Sequence, residues 1–210
     1  MKALYACGAL AGPLFVAAFL AQGVVKPGGY DALRHPVSSL ALGPYGWVQT
    51  GVFLVSGALT VMFALGLLRL PGVRRKIGAC LVGLWGVGLV GAGVWVTDPV
   101  SGYPVGTPAL PDPMSTTGTL HDVFSVLAFF GLGAACFVLA AGSGWRWAVY
   151  SLLSGVAFLG FFFLSGVGFQ QDPSLVDTAG LWQRLSLLTG WTWLTLLALR
   201  ERPTPAGSPE

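Results

Sequence analysis

An all-α, polytopic membrane protein of six transmembrane helices is what the sequence predicts, and three observations predict it. Only 9% of the 210 residues are charged while 54% are hydrophobic, whereas an ordinary soluble domain carries roughly 25% charged residues. Six apolar runs are each long enough to span a hydrocarbon core of about 30 Å, which takes roughly 20 helical residues. Each run is continuous rather than alternating, and lipid demands that backbone hydrogen bonds close within a segment, so helices are expected and strands are not.

The runs are Ala3–Val25, Tyr45–Leu68, Ile77–Thr97, Val123–Ala141, Trp147–Phe169 and Leu181–Leu199. The first follows Lys2 and carries small residues at Ala18 and Ala21, as a signal peptide does. It is too long for an ordinary signal core, so the expectation is that it stays as a helix. The second opens after Pro44, and the third follows the Pro71-Gly72 turn. The third carries Gly78, Gly83, Gly86, Gly88, Gly91 and Gly93, which line more than one of its faces with backbone and suit a central packing helix. The fourth starts after His121-Asp122, with Thr117 or Thr119 as expected caps. The fifth follows Gly142–Arg146, and the sixth is opened by Gln183 and Arg184. Residues 1–201 are thus expected to form one transmembrane domain, and the Pro-, Gly- and Ser-rich residues 202–210 a disordered tail.

Lysine and arginine placement predicts the orientation. Lys2, Arg69, Arg74, Arg75, Lys76, Arg146, Arg200 and Arg202 fall on the side of the two termini, whereas Lys26, Arg34 and Arg184 fall on the other. The expectation is a multi-pass protein of a bacterial plasma membrane with both termini in the cytoplasm. The net charge of +3 then reads as an orientation signal and not as a nucleic-acid footprint. Cys7, Cys80 and Cys136 all lie inside apolar runs at no useful spacing, so no disulfide framework or zinc site is predicted.

Both histidines, and every acidic residue except Glu201 and Glu210, fall in or beside the three long loops on the side away from the termini. The first loop brings Arg34, His35, Ser38 and Ser39. The second brings Asp98, His121 and Asp122, and the third Asp172, followed by Gln183 and Arg184. Each has a plain structural use: Asp98 before Pro99 ends a helix, Ser38 and Ser39 cap a short interfacial helix, Asp122 suits a helix's first turn, and Arg184 pairs with Asp172 or a lipid phosphate. Against these stands their clustering at one end. Two histidines without an HxxxH or HExxH spacing do not make a catalytic zinc site, and a bis-histidine haem would need His35 and His121 face to face. No Gly-x-Ser-x-Gly elbow accompanies Ser38 or Ser39. An aspartate–histidine pair doing acid–base work on an apolar substrate needs the fewest assumptions. We therefore take Asp98, His121 and His35 as the candidate catalytic groups. Arg34, Ser38, Ser39, Asp122, Asp172, Gln183 and Arg184 are the candidate substrate-binding groups, with no metal and no cofactor.

A faint repeat also runs through the second half. Thr117-Gly118-Thr119-Leu120-His121-Asp122-Val123-Phe124-Ser125 aligns without gaps to Thr178-Ala179-Gly180-Leu181-Trp182-Gln183-Arg184-Leu185-Ser186, and each block follows an Asp-Pro pair, Asp98-Pro99 or Asp172-Pro173. It predicts that helices three to six form two related hairpins.

Arg34-His35-Pro36-Val37-Ser38-Ser39-Leu40 with Gly43 and Gly46-Trp47, Asp98-Pro99, Tyr103-Pro104 and Thr117–Asp122 resemble the bacterial membrane proteins of the "domain of unknown function 998" family, over nearly the whole chain. That family is distantly similar to six-helix Frag-type and autophagy-modulator membrane proteins. The resemblance implies a six-helix bundle and marks Arg34, His35, Ser38, Ser39, Asp98 and His121 as characteristic polar positions; it implies no activity. Two functions lead on the residues alone, with transport ranked last because the chain offers few intramembrane charges and no clearly broken helix. One is a cofactor-independent membrane enzyme acting on a lipid or isoprenoid, with terpenoid cyclisation as an example and helical aromatics such as Trp85, Trp95, Phe129, Phe130, Phe161 to Phe163, Trp191 and Trp193 placed to stabilise cations. The other is a non-catalytic protein binding a lipid headgroup or a partner, with Arg34 and Arg184 holding the anion. The expected partner is a membrane lipid or lipophilic small molecule, with no nucleic acid.

Overall fold

The computed structural model describes residues 2–201 of the chain. Six long helices are present: α1 Lys2–Val25, α2 Gly46–Leu67, α3 Val73–Val94, α4 Thr116–Ala140, α5 Trp145–Phe169 and α6 Ala179–Arg200. Two short 3-10 turns, Val37–Ala41 and Val176–Thr178, lie in the loops, and no strand forms among the described residues. The first five helices are long and apolar enough to cross a membrane. α6 matches α2 and α3 in length at 22 residues, but Gln183 and Arg184 in its opening turns dilute its apolar character.

Two helix starts differ from the sequence expectation. α3 begins at Val73, so Arg74, Arg75 and Lys76 are helical, because a helix continues past the hydrocarbon wherever its backbone bonds can continue. α4 begins at Thr116 rather than Val123. Its cap is Ser115, whose hydroxyl accepts from the Gly118 N–H at 2.9 Å; Thr117 and Thr119 lie inside the first turn. Asp122 accordingly sits in the second turn of α4, beyond the strongest reach of the helix terminus. α3 ends at Val94, so Asp98 stands four residues past it. Ser38 and Ser39 lie within their 3-10 turn, which is capped at Pro36 without a side-chain bond.

Each helix packs on its neighbours in sequence, and α6 returns against α1, closing a ring of six. α3 and α4 form one hairpin and α5 and α6 another. The α3 glycines divide between two partners. A Cβ on Gly86 would lie 2.9 Å from the Gly57 carbonyl, and one on Gly57 would lie 2.7 Å from the Gly86 carbonyl, so α2 and α3 cross backbone to backbone. Gly83 and Gly93 also face α2, whereas Gly78, Gly88 and Gly91 face Leu139, Ala128 and Phe124 of α4. Since apolar side chains gain little by leaving lipid, such close approach is a main source of cohesion between membrane helices.

Inside the ring, every helix contributes one buried aromatic to a single layer: Phe15, Phe53, Trp85, Phe129, Phe158 and Trp191. Trp85 meets Phe129 at 5.3 Å, Trp191 at 5.4 Å and Phe158 at 5.9 Å, all edge to face. Phe15 joins Trp191 at 5.2 Å and Phe53 at 5.6 Å. Edge-to-face pairs contribute about 0.5–1.5 kcal/mol each beyond area, so the layer seals the bundle at mid-height.

The helix ends beyond Trp85 carry the three long loops, which interlock. Lys26 Nζ donates to the Leu40 and Pro44 carbonyls at 2.7 and 2.8 Å. The Tyr103 hydroxyl donates to the Pro27 carbonyl at 3.2 Å, and the Leu181 N–H to the Leu33 carbonyl at 2.9 Å. The opposite end holds the basic residues, where Arg75 reaches Glu201 at 3.6 Å and Arg200 donates to the Ser143 carbonyl at 2.7 Å. Residues 202–210, assigned to a disordered tail on composition, lie outside the described residues.

Candidate functional site

A cavity of about 390 Å³ runs from the loop end of the ring down to the aromatic layer. Its floor is Phe15, Phe53, Trp85 and Phe129, and its walls add Leu89 and Ala92 of α3, Phe162 and Phe169 of α5, and Leu187 of α6. Polar side chains enter from the upper part: Ser38, Thr97, Asp98, His121, Asp122, Ser125, Ser165, Gln170 and Gln183. The exposed side chains Leu110, Met114 and Val126 stand on its rim.

His121 is buried in α4 and faces the end of α3. Its Nδ1 lies 3.0 Å from the Ala92 carbonyl and 2.8 Å from the Trp95 carbonyl. Both oxygens are among the carbonyls that a helix C-terminus leaves without intrahelical donors. A carbonyl only accepts, so Nδ1 carries a hydrogen in every protonation state. Nε2 is therefore the ring position left to exchange a proton, and it makes no hydrogen bond among the described residues.

Asp98 is drawn to the start of the same helix. One oxygen accepts from the Ser115 N–H at 2.7 Å and the other from the Ser115 hydroxyl at 2.6 Å. The carboxylate thus sits over the α4 N-terminus, where the helix dipole favours an anion, and a Cβ on Gly118 would collide with it. Asp122 follows His121 with an exposed side chain on the cavity side. Ser125, one turn after His121, brings a hydroxyl to the same wall.

His35 does not join them. It is buried behind the cavity wall between Tyr30 and Tyr103, with ring centroids 5.7 and 5.2 Å away. Its Nδ1 accepts from the Asp31 N–H at 2.8 Å, which leaves the hydrogen on Nε2, directed at the Ser101 carbonyl 3.3 Å away. Burial pushes its pKa below the ordinary histidine value, with the Arg34 and Arg184 charges adding to the effect and the Ser101 carbonyl and Asp31 opposing it. This imidazole is a neutral clasp joining two loops.

The other expected binding groups divide. Ser38 and Gln183 line the cavity, and the Gln183 carbonyl oxygen accepts from the Val37 N–H at 2.7 Å, holding the 3-10 turn in place. Ser39 is fully buried in the same turn, and its hydroxyl has no hydrogen-bond partner among the described residues. Arg34 forms an exposed ion pair with Asp177 at 2.6 Å. Asp172 turns back on Ser174, whose N–H lies at 2.9 Å, and hydrogen bonds from Ser174 hold its carboxyl below the usual range. Arg184 is buried and pairs neither with Asp172 nor with any carboxylate among the described residues. It donates to the His35 and Gly180 carbonyls at 3.0 and 2.9 Å and to the Tyr30 hydroxyl, beneath the Phe19 and Tyr30 ring faces.

Sequence reasoning named Gln170 among the polar residues of the third loop, and the structure puts it on the cavity lining; it missed Ser115, Ser125, Ser165 and the pair Tyr30–Tyr103. Ser125 was legible as the i+4 neighbour of His121 on one helix face; Ser165 carries no such signal. The two hairpins differ where the repeat aligns them. Asp98 reaches forward to α4 whereas Asp172 reaches only Ser174, and His121 is matched by Trp182, which stacks on Phe161. Among the described residues, no group of three or more His, Cys, Asp or Glu side chains is placed to hold a metal ion.

The model of the family described as "Protein of unknown function (DUF998)" matches residues 9–200. Neither the search of curated proteins nor that of solved structures gave a match.

Proposed function

The chain belongs to the DUF998 family, and on its geometry we propose that it is a multi-pass membrane enzyme moving protons on a lipophilic substrate held in the cavity above the aromatic layer. The observation that carries this reading is His121, which combines an Nδ1–H tied to two carbonyls with an Nε2 left available beside an apolar cavity. A histidine so held is oriented for general acid–base work. A volume near 390 Å³ is in the range of small-molecule sites. The rim residues Leu110, Met114 and Val126 suit a substrate arriving from the bilayer. Cyclisation of an isoprenoid started by protonation is one form of the chemistry, since Phe15, Phe53, Trp85 and Phe129 offer ring faces to a developing cation.

Orientation belongs to the same proposal. The basic end faces the cytoplasm of a bacterial plasma membrane, following the excess of lysine and arginine there, and the cavity faces away from it.

A second reading, binding without catalysis, draws on Asp98. Both of its oxygens accept from Ser115, so this carboxylate has a structural task, and the cavity then holds a ligand without acting on it. One experiment separates the two. Lipid extracts of a strain expressing wild type or His121→Asn are compared by mass spectrometry, with folding checked by size exclusion. A species made in wild type and missing in the variant supports catalysis. Identical extracts, with an amphiphile still co-purifying with both proteins, support binding alone.

A further inference from the structure

We propose that the cavity selects a long-chain amphiphile whose head is a hydrogen-bond donor without negative charge, an alcohol or a primary amine. This rests on the reading that the cavity takes an amphiphile and narrows it to a head-group class. The first ground is charge. Asp98 and Asp122 line the cavity, and among the described residues no lysine or arginine does. A phosphate or carboxylate head would enter beside two acidic groups with no lysine or arginine on the lining to meet it, and like charges repel.

The second ground is where the neighbouring cations go. Arg34 is spent on Asp177, Arg184 on two carbonyls and a tyrosine hydroxyl, and Lys26 on the Leu40 and Pro44 carbonyls. All three lie outside the cavity lining. Arg34 and Arg184, the residue types' candidates for holding a lipid phosphate, therefore do not meet a ligand of this cavity.

The third ground is the balance of donors and acceptors. With Nδ1 committed as a donor to Ala92 and Trp95, neutral His121 offers a lone pair at Nε2. Asp98 is taken up by Ser115, and the other carboxylate of the lining, Asp122, only accepts. The hydroxyls and amides of the lining, such as Ser125 and Gln183, can donate or accept, so the groups that can only accept decide the head, and they call for a ligand O–H or N–H. Below them the walls are apolar down to Trp85, which leaves room for one chain and one head at the top.

The test uses the full-length protein in nanodiscs at pH 8 with four matched probes: 10-bromodecanol, 10-bromodecylamine, 10-bromodecanoate and 10-bromodecyl phosphate. Bromine quenches indole on contact, so the fluorescence component lost in Trp85→Phe reports a chain tip at the cavity floor. Native mass spectrometry of wild-type adducts gives the same ranking without any substitution. The alcohol and amine are expected to bind at least about tenfold more tightly than the carboxylate and phosphate, the factor that about 1.4 kcal/mol of repulsion supplies. Asp122→Asn is expected to shrink that ratio. Equal binding of all four, or preference for an anionic head, overturns this inference and leaves the cavity reading standing. No adduct and no Trp85-dependent quenching by any probe overturns both.

Discussion

His121 Nδ1 lies 2.8 Å from the carbonyl oxygen of Trp95, and that contact ties the end of α3 to the second turn of α4. The same bond keeps a hydrogen on Nδ1, leaving Nε2 to work. Structure and chemistry can be separated here, because the amide nitrogen of asparagine reaches about where Nδ1 sits. His121→Ala is expected to cost about 1–3 kcal/mol through the unpaired carbonyls, read as thermal unfolding in detergent. His121→Asn is expected to recover most of that loss and still lack the proton-exchanging position.

Ser115 joins Asp98 to the start of α4, donating to both carboxylate oxygens while accepting from the Gly118 N–H. Ser115→Ala keeps the backbone donation and loses the cap, at about 1–2 kcal/mol. Asp98→Ala removes the anion over the α4 N-terminus and leaves the exposed Ser115 N–H to water, and is expected to cost no more than that. Denaturation midpoints of the two variants and the double variant measure their coupling; fully additive losses would show that the two residues act independently.

Burial lowers the His35 pKa from its ordinary 6.5, so the unfolded chain takes up the proton before the folded one does. The His35 contribution to stability is therefore complete above pH 6.5 and falls as the pH drops below it, levelling beneath the folded value. Unfolding temperature measured from pH 8 to pH 5 is expected to decline in wild type and to decline less in His35→Gln.

Gly86 and Gly57 bring α2 and α3 together at their carbonyls. Gly86→Ala forces these backbones apart and is expected to cost about 1–3 kcal/mol, the range of an overpacked contact. Gly160, which faces open space, is the control, and Gly160→Ala is expected to leave the unfolding temperature unchanged or raised.

The helices were legible because a continuous apolar run has one structural solution in lipid. The early start of α4 was not, since Thr116 to Asp122 reads as polar loop until Ser115 is seen to cap it. That Asp98 and His121 line one cavity was legible in part, as both flank the same loop and one hairpin must join them. The place of His35 was not. Nothing in the order of residues says which way a loop imidazole turns, and Tyr30 and Tyr103, 73 positions apart in number, decide it by enclosing the ring. Arg184 misleads for a related reason, because a buried guanidinium can be satisfied by carbonyls and ring faces that leave no trace in a charge count.

The most direct measurement fills the cavity. Ser125→Phe places a ring beside His121 in a helix that keeps its other contacts, and native mass spectrometry of the purified protein then reads the bound amphiphile. The account predicts an adduct on wild type that is lost from Ser125→Phe while the unfolding temperature changes little. An adduct retained at the same occupancy by a folded variant would contradict it and place the ligand elsewhere on the bundle.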